Sequence, residues 1–159
     1  MQQLLDIVRE QFRLNINGIH GIKHWKRVEK IGLYLSENAD VDRDVIRLFA
    51  LLHDSRREDE HEDPLHGFHA AKFTWDLYEK KILSISRPQL ETLMYACENH
   101  SDPHAKSDDL TIQICWDSDR LDLVRLDIIP DSRYLYTNKA KQPAATLYAK
   151  RLLRFTINP

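Results

Sequence analysis

Apolar residues recur every three or four positions along nearly the whole chain, a period that predicts a run of amphipathic helices. Leu4, Leu5, Val8 and Phe12 mark a first helix over 4–14, and the chain breaks at 15–18. A second helix, from 19 or 20 to about 38, carries His24, Val28, Ile31 and Leu35 on one side. A third, over 42–54, opens on an acidic cap and buries Val45, Leu48, Phe49 and Leu52. Beyond a charged loop at 55–64, His66, Ala70, Phe73 and Leu77 define a helix over 65–83. Leu90, Leu93, Cys97 and His100 define another over 88–100, with Pro88 suited to its first turn. A sixth, over 110–128, has Ile112, Trp116, Asp119, Leu123 and Leu126 on one face. Residues 130–143 read as irregular, and 144–155 as a closing helix. Strictly alternating runs are missing and glycines number only four, against a sheet or a Gly-rich nucleotide loop. The pattern predicts an all-α bundle of six or seven helices, one domain over 1–159, with no internal repeat.

Composition narrows the function classes. Hydrophobic residues at 42% and charged residues at 30% are ordinary for a globular domain. A formal charge of −2 supplies no drive toward a nucleic-acid polymer or a membrane surface. No apolar run approaches the ~20 residues a bilayer span needs, and the first residues lack the basic-then-apolar order of a signal peptide. Cys97 and Cys115 stand apart, without CxxC spacing, and read as reduced core thiols of a cytoplasmic protein. Neither a nucleic-acid polymer nor a membrane is therefore expected as a partner. Trp25, Trp75 and Trp116 read as core.

The chemistry lies where the stripes are interrupted. His24, His66, His100 and Asp119 each take a place on an apolar face, and His53-Asp54 ends the third helix. Asp117 is rotated roughly 200° from Asp119, off that face. A hydrogen bond satisfies a single buried histidine, and a His–Asp contact at a fraying helix end accounts for the dipeptide alone. Five interruptions on five helices are harder to explain separately. Burying an unpaired carboxylate costs several kcal/mol in order of magnitude, and a divalent metal shared by imidazole and carboxylate compensates it. His69 rivals His66, but its helical neighbours Lys72, Asp76 and Lys80 are polar. His20, His61 and His104 fall in loops or at a helix start, suited to solvent contact or pocket lining. His20 and His24 have i,i+4 spacing without the glutamate of HExxH, so zinc-protease chemistry is unsupported.

The ordered set His24, His53-Asp54, Asp119 resembles the H…HD…D signature of the HD superfamily of metal-dependent phosphohydrolases. The local contexts agree: His24-Trp25-Lys26-Arg27-Val28, Leu51-Leu52-His53-Asp54 and Asp117-Ser118-Asp119-Arg120-Leu121-Asp122. The resemblance covers about 20–126. Asp63-Pro64-Leu65-His66-Gly67 and Ala96-Cys97-Glu98-Asn99-His100 are similar to the extra histidine segments of two-metal members, which include two-iron dinucleotide polyphosphate hydrolases and oxidative enzymes. The resemblance implies His24, His53, Asp54 and Asp119 around one metal and His66 and His100 around a second, with Asp54 bridging. Iron or manganese is expected if two ions bind; zinc, nickel, cobalt or magnesium also suit the ligands.

This implies hydrolysis of a phosphate ester or anhydride of a small molecule, a nucleotide first among them. Phosphoryl transfer also needs cations for the equatorial oxygens. Arg57 occupies the place of a lysine in several HD hydrolases, and Arg56, Arg120 and Lys23 lie within a few residues of proposed ligands. Surface pairing with Glu58, Asp59 or Glu60 accounts for these arginines equally well. Glu58 or a metal-bound water serves as the general acid. The alternatives are a di-iron oxygenase of the same superfamily and a non-catalytic nucleotide-binding module with a structural metal.

Overall fold

The helices form where the stripes lie. The computed structural model describes residues 2–155, with α1 (Gln2–Gln11), α2 (Ile22–Leu35), α3 (Arg43–Leu52), α4 (His66–Glu79), α5 (Arg87–Asn99), α6 (Leu110–Leu121) and α7 (Pro143–Phe155). Two 3-10 turns, Asp122–Leu126 and Ser132–Tyr134, lie between α6 and α7, and no strand occurs among the described residues. The fold is all-α, as the periodicity predicts.

One residue shows how the bundle is aligned. The Asp42 side chain caps α3 by accepting from the backbone N–H groups of Asp44 and Val45, both at 3.0 Å. Its second oxygen accepts from Gln89 Nε2 at 2.8 Å, beside the Ser86–Gln89 capping box that starts α5. Its own N–H donates to Thr111 Oγ1 at 3.2 Å, in the first turn of α6. The N-termini of α3, α5 and α6 are thus tied together, so the three helices run the same way and end together. Arg43 Nε donates to Ser36 Oγ at 3.1 Å, which puts the end of α2 at the start of α3. α2 therefore runs against the other three and brings its first turn, with His24, to their C-terminal end.

The core between them holds Ile31, Ile46, Phe49, Leu52, Leu90, Leu93, Ile114 and Trp116, all fully buried. Trp116 Nε1 donates to the Ala96 carbonyl at 2.9 Å, which satisfies the one polar atom of the largest core side chain. α4 packs along α5, α1 covers α3, and α7 lies against α2 and the Asp122–Leu126 turn. A Cβ at Gly67 would stand 2.6 Å from the Glu98 carbonyl oxygen and 2.7 Å from that of Cys97. The first turn of α4 thus touches the end of α5 backbone to backbone. Cys97 and Cys115 are free and buried, and burial pushes both thiols up. No helix among the described residues is long and apolar enough to cross a membrane.

Several boundaries depart from the periodicity, among them the ends of α1 at Gln11 and of α2 at Leu35, each three residues early. α2 begins at Ile22 rather than 19 or 20, because residues 15–22 fold into a tight turn in which Ile22 N–H donates to the Ile16 carbonyl at 2.9 Å. That turn buries His20. α4 ends at Glu79, short of 83, just before Lys81 in the left-handed region at φ 57°. α6 ends at Leu121 and tightens into 3-10 geometry, where continuous helix to 128 is expected. Asp117, set aside as lying off the α6 stripe, is also fully buried. It accepts from the backbone N–H groups of Tyr136 and Thr137 at 2.8 Å each and from Thr137 Oγ1 at 2.7 Å, and so clasps the otherwise irregular 130–143 segment.

Candidate metal centre

Asp54 follows His53, the C-terminal cap of α3, and its carboxylate lies where the helix ends meet. Its two oxygens face different partners. Oδ2 lies 3.5 Å from His24 Nε2, 3.6 Å from His53 Nε2 and 2.9 Å from His20 Nδ1. Oδ1 lies 3.4 Å from His66 Nε2 and 3.5 Å from His100 Nε2. On the Oδ2 side, Asp119 Oδ1 closes the group at 3.4 Å from His24 and 3.6 Å from His53. The histidines also meet in pairs, with Nε2–Nε2 separations of 3.0 Å for His24 and His53 and 2.9 Å for His66 and His100.

Each of these four rings is fixed from behind. Nδ1 of His24 donates to Asp122 Oδ2 at 2.7 Å, that of His53 to the Phe49 carbonyl at 3.1 Å, and that of His100 to the Cys97 carbonyl at 2.7 Å. His66 Nδ1 donates to the Asp63 carbonyl. An oxygen that can only accept requires the proton on Nδ1, so every Nε2 lone pair is left facing the centre. Two nitrogens bound to one cation at about 2.1 Å and at right angles would lie about 3 Å apart, as both pairs do. Asp54 Oδ1, buried and ionised, has no hydrogen-bond partner. Imidazole and carboxylate donors at these separations, with an orphaned carboxylate oxygen among them, fit a divalent transition metal. Three overlapping groups of buried donors, His24/His53/Asp119, His53/Asp54/His100 and His20/His24/Asp54, could each hold an ion.

The protonation pattern agrees. Burial pushes the Asp54 carboxyl up, but His53, His100, His20 and His24 overcome this and hold it well below the carboxylate range. Asp119 is likewise held down against burial, by His24 and His53. Burial and Arg125 lower His24, yet its bonds to Asp119, Asp122 and Asp54 raise it to about 10, while burial leaves His53 lowered. Burial and His100 lower His66 to about 4, and contact with Asp54 raises His100 against the effect of burial. In each pair one ring is raised and the other lowered. In the first pair the proton thus sits on His24, whose Nε2 gives it to His53. A cation must expel it. Below His24's pKa the deprotonated fraction grows tenfold per pH unit, so apparent metal affinity is expected to rise by about tenfold per unit between about pH 6 and 8. Competition titrations against a chelator at three pH values measure this; a flat profile contradicts it.

The remaining residues divide by position. A cavity of about 250 Å³ opens onto the donors, lined by His20, Asp54, Arg57, His66, His100, Asp119, Arg120 and Arg125, with Ser101 and Leu123. Arg57 enters it, with Nη1 3.1 Å from His66 Nε2 and 3.6 Å from Asp54 Oδ1. Arg120 stands at its edge, donating to the carbonyls of Tyr134 at 2.8 Å and Asp102 at 3.0 Å. Three expected participants do not line the cavity. Arg56 donates to Gln11 Oε1 at 3.0 Å and stacks on Phe73, and Glu58 pairs with exposed Arg13 at 2.7 Å. Lys23 borders a different surface hollow, beside Asn17 and Leu153. Neighbours of a ligand along the chain point elsewhere because successive helical residues are rotated by about 100°. His66, not His69, faces Asp54; His69 lines the same distant cavity as Arg56.

Asp122 and Arg27, behind His24, and Arg125, on the cavity wall, are the residues sequence reasoning missed. Asp122 is fully buried and accepts from Arg27 Nε at 2.6 Å and Nη2 at 3.0 Å besides holding His24. Its position three residues after Asp119, and that of Arg27 three after His24, place both pairs at helical spacing. That was the available signal. His20 lines the cavity, as one of its two expected roles had it, but its bond to Asp54 had no signal, since only the 15–22 turn brings it there.

No protein-family model matches the sequence, and no curated protein does. Among solved structures, the fold matches the crystal structure of a predicted HD superfamily hydrolase from an uncultured Thermotogales bacterium. The TM-score is 0.68 and the identity 24%, over 99% of this chain and 87% of that one. The two share an HD-type helical fold.

Proposed function

We propose that this chain is a metal-dependent phosphohydrolase of the HD superfamily acting on a small phosphate ester or anhydride, in which His24, His53, Asp54 and Asp119 would hold one divalent cation and Asp54, His66 and His100 a second. The observation that carries this reading is the division of one buried carboxylate between two imidazole pairs, with Oδ2 toward His24 and His53 and Oδ1 toward His66 and His100. Bound divalent cations supply a nucleophilic water at neutral pH and polarise a phosphoryl oxygen. The chain supplies the rest. Arg57, whose Nε is held by the Asp59 carbonyl at 2.9 Å, presents its remaining N–H groups to the equatorial oxygens. Arg120, fixed by two backbone carbonyls, orients the substrate at the edge of the cavity. Glu58 is too far out to protonate the leaving group. His20, which lines the cavity outside both imidazole pairs, takes that role at Nε2, which stands 3.8 Å from Glu60 Oε2, while Nδ1 is held by Asp54. On the strength of the resemblance, iron and manganese are the metals to load first, and nucleotides belong on the ester panel.

Metal content of protein purified without chelator, measured with phosphate release across an ester panel, tests this. About two equivalents are expected, falling to about one in His66→Ala and His100→Ala, with turnover abolished by chelation and restored by metal. Fully metallated protein that releases no phosphate from any ester or anhydride overturns the reading.

A further inference from the structure

Beside the polar cavity the surface turns apolar without a break. A second cavity, of about 310 Å³, shares Ser101, Arg120 and Leu123 with the first. Its far wall is built by Ile128, Ile129, Pro130 and Tyr134. Ile128, Ile129 and Tyr134 are 49%, 66% and 47% exposed, an open cluster of large apolar groups at the mouth of a charged site. Beyond the Ser101 and Tyr134 hydroxyls, this wall offers little to read a polar molecule. Asp131 is engaged by Arg133 at 2.6 Å, and Arg120 commits one Nη1 and one Nη2 hydrogen to the Tyr134 and Asp102 carbonyls, which leaves its remaining N–H groups for the phosphate side. Those same bonds fix the groove, because Arg120 ties the 132–134 turn to the loop after α5 and stacks on Tyr136, 5.1 Å away.

We propose that this groove binds the organic part of the substrate, so that the substrate is a phosphate monoester of an apolar alcohol and not a nucleotide. A nucleobase and ribose need hydrogen-bonding partners, and burying them unpaired against isoleucine costs more than it returns. The inference rests on the phosphohydrolase reading and narrows its substrate class. In the reaction, water oxygen bonds to phosphorus and the bond from phosphorus to the ester oxygen breaks. That oxygen departs with the alkyl group and takes a proton, giving inorganic phosphate and the alcohol.

The test compares n-hexyl phosphate, methyl phosphate and adenosine 5′-monophosphate as substrates of the metal-loaded protein. The two alkyl esters have leaving groups of similar basicity, so a difference between them reports contact and not reactivity. The hexyl ester is expected to exceed the methyl ester in kcat/KM by about thirtyfold, from partial burial of five added methylenes. Ile129→Asp, at an exposed position, should reduce that ratio to a few-fold. Leu147→Asp, 56% exposed on α7, places the same charge elsewhere and should leave the ratio unchanged. A wild-type ratio near one, a ratio that Ile129→Asp does not move, or a preference for the nucleotide overturns the proposal. Binding of n-hexylphosphonate and methylphosphonate, by calorimetry, separates the two layers of the argument. Tighter hexyl binding, weakened by Ile129→Asp, in a protein that hydrolyses nothing would uphold the groove and sink the hydrolase. Equal binding of the two would sink the groove.

Discussion

Asp54→Asn is expected to lower phosphate release by at least about a thousandfold and to leave less than about one equivalent of metal bound. The amide keeps the shape of the carboxylate but removes the charge, and one of its two atoms becomes a donor. Whichever way it turns, an NH₂ group faces an imidazole pair: His24 and His53, 3.5 and 3.6 Å from Oδ2, or His66 and His100, 3.4 and 3.5 Å from Oδ1. Both positions are damaged by one substitution, where His66→Ala or His100→Ala removes a donor from one. Metal analysis and turnover on the same preparation make the comparison, with circular dichroism to establish that the variant is folded. Full occupancy with activity within about tenfold of wild type would mean that Asp54 bridges nothing.

Asp122→Ala is expected to be the most destabilising substitution near the site, by about 3–5 kcal/mol, because it strands a buried cation. Asp122 is fully buried, and Arg27 reaches it through Nε at 2.6 Å and Nη2 at 3.0 Å, with Arg125 Nη1 3.6 Å from the same carboxylate. The same oxygen that takes Nη2 also holds His24 Nδ1, so the ring loses its orientation along with the salt bridge. Metal affinity should fall by about 10–100-fold in a variant that still folds. Asp122→Asn, which keeps the packing and an acceptor, should recover part of the stability and less of the affinity, since the charge facing Arg27 is gone. Urea unfolding of the metal-free proteins and chelator competition measure the two effects separately. Unchanged unfolding midpoints in Asp122→Ala would show that Arg27 finds water or another acceptor.

The helices were legible because burial imposes a local rule. Val28, Ile31 and Leu35 on α2, or Phe49 and Leu52 on α3, must recur at the helical period to reach one core. The same rule exposed the donors, because His24, His66 and His100 break stripes in which a charge-capable residue needs a reason. What lay beyond reach depended on contacts between distant segments. Asp117 is buried by residues 136–137, and no period on α6 announces a second covered face. His20 reaches Asp54 only because residues 15–22 turn back on themselves. Arg56, Glu58 and Lys23 were drawn in by adjacency along the chain, which on a helix or in a turn says little about direction. The apolar groove joins a loop after α5 to one after α6, and its isoleucines carry no periodic signature at all.

The closeness of α4 and α5 at Gly67 has a bearing on how many ions such a chain takes. The His66 and His100 nitrogens stand 2.9 Å apart because position 67 has no side chain to hold the Glu98 and Cys97 carbonyls away. Nuclearity is then a steric property of the helix contact as much as of the ligands. A relative with every histidine in place but an alanine at this position would have its second pair pried apart and would work with one ion. On the two-metal reading, counting donors in a sequence sets an upper limit on the metals, and the glycine at the helix contact would decide whether that limit is reached.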